Sequence, residues 1–101
     1  MTRKEIILIG GGGHCKACID VIEQENQYQI NGIIDSDSSL KEVLGYPVLG
    51  GDELIPSLID TNTWFLITLG QIKSYGVRLK IAKLLEQHNA QLARIISPSA
   101  Y

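Results

Sequence analysis

The sequence predicts an α/β fold, a small Rossmann-like domain of three layers with a mostly parallel sheet. Two observations predict it. Short apolar runs alternate along the chain with segments whose apolar residues recur at helical spacing, and such alternation produces parallel strands joined by right-handed helical crossovers. In addition, four consecutive glycines, Gly10 to Gly13, separate the first apolar run from the first helical segment, at the position where this fold class usually binds an anion.

The first unit is a strand, a glycine loop and a helix. Residues 5–9 are mostly apolar and predict a strand buried on both faces. A second strand is predicted over residues 28–35, ending on Asp35, and a turn over residues 36–39 follows it. Between the strands a helix is predicted from His14 onward, because four residues form one helical stripe: Cys15, Cys18, Ile19 and Ile22.

The middle of the chain is less regular. Two short apolar pieces are predicted on either side of a break at Gly-Tyr-Pro, residues 45–47. A helix is then predicted to run to Ile59, with Asp52 as its N-cap and Pro56 in its interior.

The last part of the chain predicts a strand, a helix and a strand. The run over residues 64–69 is the first of these strands, and Gly70 closes it. Residues 93–96 predict the final strand, and Asn89 before it suits the left-handed position after the last turn of a helix. That helix is predicted from a second apolar stripe: Val77, Ile81, Leu84 and Leu85.

The composition excludes several classes of function. The chain has 101 residues, enough for one domain with a single core. Its formal net charge is −2, and Lys and Arg do not cluster, which argues against a nucleic-acid partner. The apolar run of residues 6–9 is far too short for a signal peptide or a membrane span. We therefore expect a cytoplasmic protein without a membrane partner, in which both cysteines are reduced.

The glycine loop partly fits two phosphate-binding signatures. Glycine tolerates tight turns and lets backbone amides approach an anion at a helix N-terminus, and four in a row exceed what a turn alone requires. The dinucleotide pattern is met at Gly10 and Gly12, but Cys15 replaces its third glycine. The P-loop pattern fits Lys16, but Ala17 replaces its Ser or Thr, so an ATPase is set aside. A tight connection without a ligand is the structural alternative.

Cysteine chemistry is a further alternative for the same stretch. Cys15 and Cys18 have Cys-x-x-Cys spacing at a helix start, where a thiolate is stabilised, as in thiol oxidoreductases. Both also lie on the apolar stripe, where a buried cysteine packs as a small hydrophobe. A metal site would need a ligand beyond His14 and the two thiols, and His88 is predicted at the far end of another helix. No metal is expected.

Candidate binding residues lie where predicted strands meet predicted helices. His14 and Lys16 suit contact with a phosphate or sugar oxygen, with helix capping and solvent exposure as the structural alternatives. Asp35 follows the loop at close to the roughly 20-residue offset of a ribose-binding acid, and it equally suits the start of a turn. Three more candidates are predicted near the same sheet edge: Gly70, Gln71 and Arg78.

Five pieces of the sequence together resemble the N-terminal domain of the bacterial sugar O/N-acyltransferase family, which contains sialic acid O-acetyltransferases and the bacillosamine-pathway acetyltransferase (NeuD/PglD-like). They are "LIGGGGHCKACIDVI", "GIIDSD", "YPVLGG", "ITLGQ" with Arg78, and "ISPSA". The resemblance covers essentially the whole chain, and its most specific part is the glycine loop with His14 and Lys16. Gln71 and Cys15 depart from the family pattern, which often has Asn and a small residue there.

The resemblance implies that residues 1–96 bind a sugar substrate, a sialic acid or a nucleotide sugar. Residues 97–101 would begin a truncated left-handed β-helix, which in the family binds acetyl-CoA, forms a homotrimer and supplies the catalytic histidine. No catalytic residue and no cofactor are therefore expected within this chain. The implied pocket residues are Gly12, Gly13, His14, Asp35, Ser36, Gly70 and Gln71, to which the loop and helix patterns add Gly11, Lys16 and Arg78.

The resemblance therefore implies the substrate-binding domain of an acetyl-CoA-dependent sugar acetyltransferase. The resemblance implies a sialic acid or a UDP-amino sugar as substrate, in bacterial surface-glycan biosynthesis. Three alternatives stay open: an NAD(P)-binding module, a thiol oxidoreductase, and a purely structural domain that orients the β-helix.

Overall fold

The computed structural model describes residues 4–37, 39–68 and 75–93, without the side chains of residues 75, 77 and 78. Within these ranges the strands are β1 (Lys4–Ile9), β2 (Tyr28–Ile34), β3 (Glu42–Val43), β4 (Tyr46–Gly50), β5 (Thr63–Ile67) and β6 (Gln91–Leu92). The helices are α1 (Gly13–Glu25), α2 (Ile55–Leu58) and α3 (Tyr75–Gln87), and a 3₁₀-helix over Asp52–Leu54 leads into α2.

Strand β1 is the centre of a single sheet with the order β3-β4-β2-β1-β5-β6. It pairs in parallel with β2 on one side and with β5 on the other. Strands β4 and β6 extend the sheet in parallel, whereas the short β3 is antiparallel to β4. Because the chain order reverses at β1, a crevice opens at the carboxyl ends of these strands, the usual ligand position in open α/β sheets.

Helices cover both faces of the sheet and make three layers. Alternate residues of β1 point to opposite faces: Ile6 and Leu8 pack with α1, whereas Ile7 and Ile9 pack with α2 and α3. The predicted stripe of α1 is wholly buried, and two members of the predicted α3 stripe are buried in the opposite core, Ile81 and Leu85. The fold class predicted from the sequence is confirmed.

One inserted residue in β2 changes the face that the end of this strand presents. Ile6 and Ile7 are consecutive in β1, but they pair with Ile30 and Gly32 of β2. Asn31 is therefore the inserted residue. A bulge of this kind resets the alternation of side chains along a strand. As a result, Ile33 packs in the α1-side core and Ile34 in the core of α2 and α3.

The break in the middle of the chain lies earlier than predicted. It falls at Leu44 and Gly45, whereas Tyr46 and Pro47 already belong to β4. The pairing of β4 with β2 begins only at Val48. Proline is therefore tolerated at the start of this strand, because no ladder bond to β2 is lost there.

The helix predicted over residues 52–59 forms as two short pieces. Asp52 is not the N-cap, since Gly51 occupies that position and no side chain provides a capping hydrogen bond. Pro56 lies in the first turn of α2 rather than in a helix interior. There its missing N–H removes no helical hydrogen bond, which explains why proline is compatible with the helix.

The last predicted elements are described in part. Asn89 has the predicted left-handed conformation, with φ 55°. Strand β6 begins at Gln91, two residues before the predicted start at residue 93, because the chain pairs with β5 as soon as the turn at Asn89 ends. Residues 94–96, Leu69, Gly70 and the side chain of Val77 lie outside the described residues. Within the described ranges, no helix combines the length and apolarity that a membrane span requires.

The hairpin between β3 and β4 turns through Leu44 at φ 50° and Gly45 at φ 90°. Positive φ at both positions is the pattern of a type I′ turn, which favours Asn-Gly, and leucine in this conformation costs about 1–2 kcal/mol. Leu44 is 59% exposed, so packing offsets little of that strain. We expect Leu44→Asn to raise the free energy of unfolding by about 1 kcal/mol in urea denaturation.

Gly45→Ala is the matched control for this prediction, because alanine at φ 90° is strained. It should lower the free energy of unfolding while Leu44→Asn raises it. A Leu44→Asn variant that is less stable than the unmodified chain would show that the Leu44 side chain makes a net stabilising contact.

Candidate anion-binding loop and groove

The peptide group that joins Gly10 to Gly11 is held from both sides at the carboxyl end of β1. Its carbonyl oxygen accepts a 2.6 Å hydrogen bond from the hydroxyl of Thr68, which directly follows β5. Its N–H donates to Oδ2 of Asp35, which directly follows β2, at 2.7 Å. Side chains from both strands that flank β1 therefore fix this one peptide plane, which we call the clamped peptide.

Backbone hydrogen bonds reinforce the clamped peptide. The N–H of Gly10 donates to the carbonyl oxygen of Ile34 at 2.7 Å, and the N–H of Thr68 donates to that of Ile9 at 2.9 Å. Gly10 has φ 116°, a conformation that L side chains rarely adopt. The first glycine of the loop is therefore required by the backbone itself.

The remaining three glycines divide into one that is crowded and two that are open. A Cβ at Gly11 would lie 2.6 Å from Cδ2 of Leu40 and 3.3 Å from Cγ2 of Val43, so a side chain there would require Leu40 to move. At Gly12 and Gly13, an added Cβ would have no neighbouring atom of the described residues within 4 Å. Crowding therefore does not account for glycine at these two positions.

Gly12 and Gly13 leave the start of α1 open. Gly12 is the N-cap, with φ −85° and no side-chain capping bond, and Gly13 is the first helical residue. Neither residue needs the conformational freedom of glycine. The absence of Cβ atoms instead gives a ligand access to amide N–H groups at the positive end of the helix dipole. This arrangement can bind an anion such as a phosphate.

His14 and Lys16 lie in the first turn of α1, and both are exposed. Nε2 of His14 is 3.8 Å from Sγ of Cys18, one turn further along the helix. The imidazole therefore lies along the helix and does not cap its first amides. Both residues are within a turn of the open amides, and their contact with a ligand stays a prediction.

Asp35 holds a turn in addition to the loop. Its Oδ1 accepts a 2.8 Å hydrogen bond from the N–H of Asp37, so Asp35 begins the turn that was one of its two predicted roles. Asp37 Oδ1 accepts hydrogen bonds from the hydroxyl and the N–H of Ser39, which lower the pKa of Asp37. The alternative role of Asp35, contact with a ribose, stays a prediction.

A groove of about 840 Å³ lies beside the loop, beyond the carboxyl ends of β2 and β4. Among the described residues, four carboxylates line it: Asp35, Asp37, Asp52 and Glu53. Its other polar side chains are those of Ser36, Lys41 and Lys80. Because the carboxylates outnumber the lysines, the groove suits hydroxyl and amine groups better than phosphates. Asp35 lines the groove and also accepts the hydrogen bond of the Gly11 N–H, so it connects the groove to the loop, whose glycines are not among the lining residues.

Cys15 and Cys18 are buried in the α1-side core, 0% and 8% exposed. Burial raises the pKa of both thiols, and a hydrogen bond between Cys15 and Thr68 opposes part of the rise at Cys15. A redox-active cysteine needs a lowered pKa and access to solvent. The structure therefore favours packing over thiol chemistry for the Cys-x-x-Cys spacing.

Three predicted site residues are not located by the structure. Gly70 and Gln71 lie outside the described residues, and Arg78 is described only as part of the α3 backbone. Sequence reasoning in turn missed Thr68, which is 1% exposed beneath the loop. The available signal was a single hydroxyl residue within an otherwise apolar strand sequence. Within the described part of the chain, no group of three or more His, Cys, Asp or Glu is arranged to hold a metal ion.

The fold is that of a Rossmann-like domain, with the candidate anion-binding loop at its switch point. Residues 5–85 match the family described as the PglD N-terminal domain. The chain therefore belongs to this family, the N-terminal domains of PglD/NeuD-like sugar acetyltransferases.

Solved structures support the same relationship. The fold is similar to that of a variant of perosamine N-acetyltransferase from Caulobacter crescentus in complex with CoA and GDP-perosamine, with a TM-score of 0.78 and 29% identity. The similarity covers 94% of this chain and 43% of that one. The acetyltransferase domain of PglB from Neisseria gonorrhoeae shares the fold, with a TM-score of 0.79 and 22% identity over 95% of this chain and 45% of that one.

A curated relative is the UDP-galactose-lipid carrier transferase of Erwinia amylovora. It is 25% identical over 100 residues, which are 95% of this chain and 21% of that protein. The chain thus spans less than half the length of each of these relatives.

The raised thiol pKa values predict how stability depends on pH. The folded chain keeps thiol protons at a pH where unfolded cysteines, with an ordinary pKa of 9.0, lose them. Stability from this source is therefore complete below pH 9 and falls as the pH rises above it. Urea denaturation at pH 7 and pH 10 should show this loss, and a Cys15→Ala, Cys18→Ala double variant should lose less stability over the same interval.

Labelling with Ellman's reagent gives an independent check of the same burial. Both thiols should react at pH 7 only as fast as the chain opens or unfolds. Rapid labelling of the folded chain would contradict the burial and favour the thiol oxidoreductase.

Proposed function

We propose that this domain binds the nucleotide-sugar substrate of an acetyl-CoA-dependent sugar acetyltransferase. In this proposal the phosphates lie over Gly12 and Gly13 at the start of α1, and the sugar or nucleoside enters the adjoining groove. The observation that carries it is that glycine at these two positions is required by neither conformation nor crowding. Access for a ligand to the helix amides is the remaining physical reason for glycine there.

The acidic lining of the groove supports an amino sugar over a sialic acid. Four carboxylates and two lysines line the groove. This excess of negative charge favours a sugar amine and disfavours the carboxylate of a sialic acid. A complex with GDP-perosamine is known for the Caulobacter relative, which is a perosamine N-acetyltransferase. We therefore propose a nucleotide-linked amino sugar as the substrate class.

Cys15 and Asp35 argue against the alternative that the domain binds a dinucleotide. Cys15 takes the place of the third glycine of that signature, and its side chain is fully buried under the loop. That glycine normally allows close packing of helix and strand around a pyrophosphate. One oxygen of Asp35 is bound to Gly11 and the other to Asp37, so this carboxylate is less available to a ribose than in dinucleotide folds.

The whole enzyme would contain a second domain. We propose that residues 1–96 form the sugar-binding domain and that residues 97–101 begin a left-handed β-helix. That domain would hold acetyl-CoA, form the trimer and supply the catalytic histidine. The present domain would bind and orient the sugar whose amine accepts the acetyl group. We place the enzyme in the cytoplasm, in bacterial surface-glycan biosynthesis.

Calorimetric titration of the 101-residue chain tests the proposal. The probes are UDP-glucosamine, UDP-glucose, GDP-mannose, CMP-sialic acid and NAD. At least one nucleotide sugar should bind, and UDP-glucosamine should bind more tightly than UDP-glucose, which lacks the amine. Gly13→Ala should weaken the tightest interaction at least tenfold without lowering thermal stability, because alanine is the better helix former and space for its Cβ is open.

The two histidines provide a matched pair for the same titration. His14→Ala should weaken binding, whereas His88→Ala should not, because His88 is also exposed but follows the end of α3. Silence from every nucleotide sugar would overturn the proposal, and binding of NAD alone would support the dinucleotide module instead.

A further inference from the structure

We propose that Thr68 is a positioning residue for the ligand. Its hydroxyl fixes the clamped peptide and thereby sets the direction of the loop amides that follow. This role rests on the proposed function, because it concerns the same loop. It involves a residue that the sequence patterns did not single out and that has no direct access to the ligand, since Thr68 is 1% exposed.

The conformational freedom of the loop makes such a residue necessary. Gly10 and Gly11 lack Cβ atoms, so side-chain sterics do not restrict rotation of the peptide plane between them. The two side-chain hydrogen bonds supply the restriction instead, one on the carbonyl from Thr68 and one on the N–H from Asp35. Without the hydroxyl, the carbonyl of Gly10 loses a partner in a buried position, and one of the two restraints on the plane is gone.

The hydroxyl is itself held in one orientation. It has a single proton, which it donates to the carbonyl of Gly10. Its oxygen is then left only as an acceptor. The hydroxyl therefore cannot turn toward another acceptor without giving up its bond to the loop carbonyl.

The sheet geometry explains why strand β5 supplies this group. Trp64 and Leu66 pack on the α1 side of the sheet, and Phe65 and Ile67 on the other. By the same alternation Thr68 points to the α1 side, where the glycine loop begins. Asp35 reaches this side from β2, so the clamp closes over the carboxyl end of β1 from its two neighbours.

Three variants test the role. Thr68→Val removes the hydroxyl and keeps the shape, and Thr68→Ala removes it with less bulk against the Gly10 carbonyl. Thr68→Ser keeps the hydroxyl. The matched control is Thr63→Val in the same strand, since Thr63 is also buried and its hydroxyl donates to Asp60 at 2.8 Å, away from the loop.

Two measurements on the folded 101-residue chain read out the result. One is the calorimetric affinity for the tightest-binding probe among UDP-glucosamine, GDP-mannose and CMP-sialic acid. The other is the hydrogen-exchange rate of the Gly11 amide by NMR, which reports the clamp without any ligand. Thr68→Val and Thr68→Ala should weaken binding and speed this exchange about tenfold, the effect of one hydrogen bond on a buried group. Thr68→Ser and Thr63→Val should stay close to the unmodified chain in both.

The outcomes separate this role from the proposed function. If Thr68→Val and Thr68→Ala keep both the affinity and the Gly11 exchange rate of the unmodified chain, the positioning role is wrong. Equal losses of affinity in Thr63→Val would also overturn it, because they would indicate general destabilisation. If no probe binds the unmodified chain, the proposed function fails, and with it the role in ligand binding, while faster Gly11 exchange would still establish the clamp.

Discussion

The peptide between Gly10 and Gly11 joins the central strand of the sheet to the loop of the candidate site. Strand β1 lies at the centre of the sheet. Gly10, the first residue after this strand, has a positive φ that favours glycine. Such a segment would be mobile if the strand simply ended there. Two side chains from the neighbouring strand ends hold it, the carboxylate of Asp35 and the hydroxyl of Thr68. A rigid start to α1, with its amides open, depends on that restraint.

Much of the fold could be predicted because its signals are local. Helical stripes and apolar runs identify α1, α3, β1, β2 and β5 from neighbouring residues alone. The exact ends were predicted less well. The β3–β4 turn at Leu44 and Gly45 and the start of the final strand at Gln91 depend on which strands pair. Pairing is decided by residues far away in the sequence.

The candidate site was predictable in the same uneven way. The glycine loop and the acid at the end of β2 are conspicuous in the sequence, so Gly12, Gly13 and Asp35 could be singled out. Thr68 is marked in the sequence only by its hydroxyl within an apolar run, and its role is not apparent there because its partner Gly10 is 58 residues away. The bond of Asp35 to Gly11 spans 24 residues and was also missed. Both contacts exist because β2 and β5 flank β1, a property of the topology and not of a motif.

The Cys-x-x-Cys spacing matches a redox motif, but packing in the core accounts for it. Cys15 lies where a dinucleotide fold has glycine, and its side chain is fully buried in the α1-side core. A small polarisable side chain suits such packing. The residue that departs from the phosphate signatures is therefore a core residue.

The bulge at Asn31 has a consequence for the folding specificity of β2. From Ile30 onward, an uninterrupted strand would direct Asp35 toward the core of α2 and α3, because side chains alternate at every residue. The inserted Asn31, whose side-chain amide donates to the carboxylate of Glu5 on β1, reverses this parity. A slipped register would bury an unpaired carboxylate among Ile9 and Phe65, which is strongly unfavourable. The carboxylate of Asp35 therefore has two effects. It restrains the loop, and it favours the strand register in which it can reach the loop.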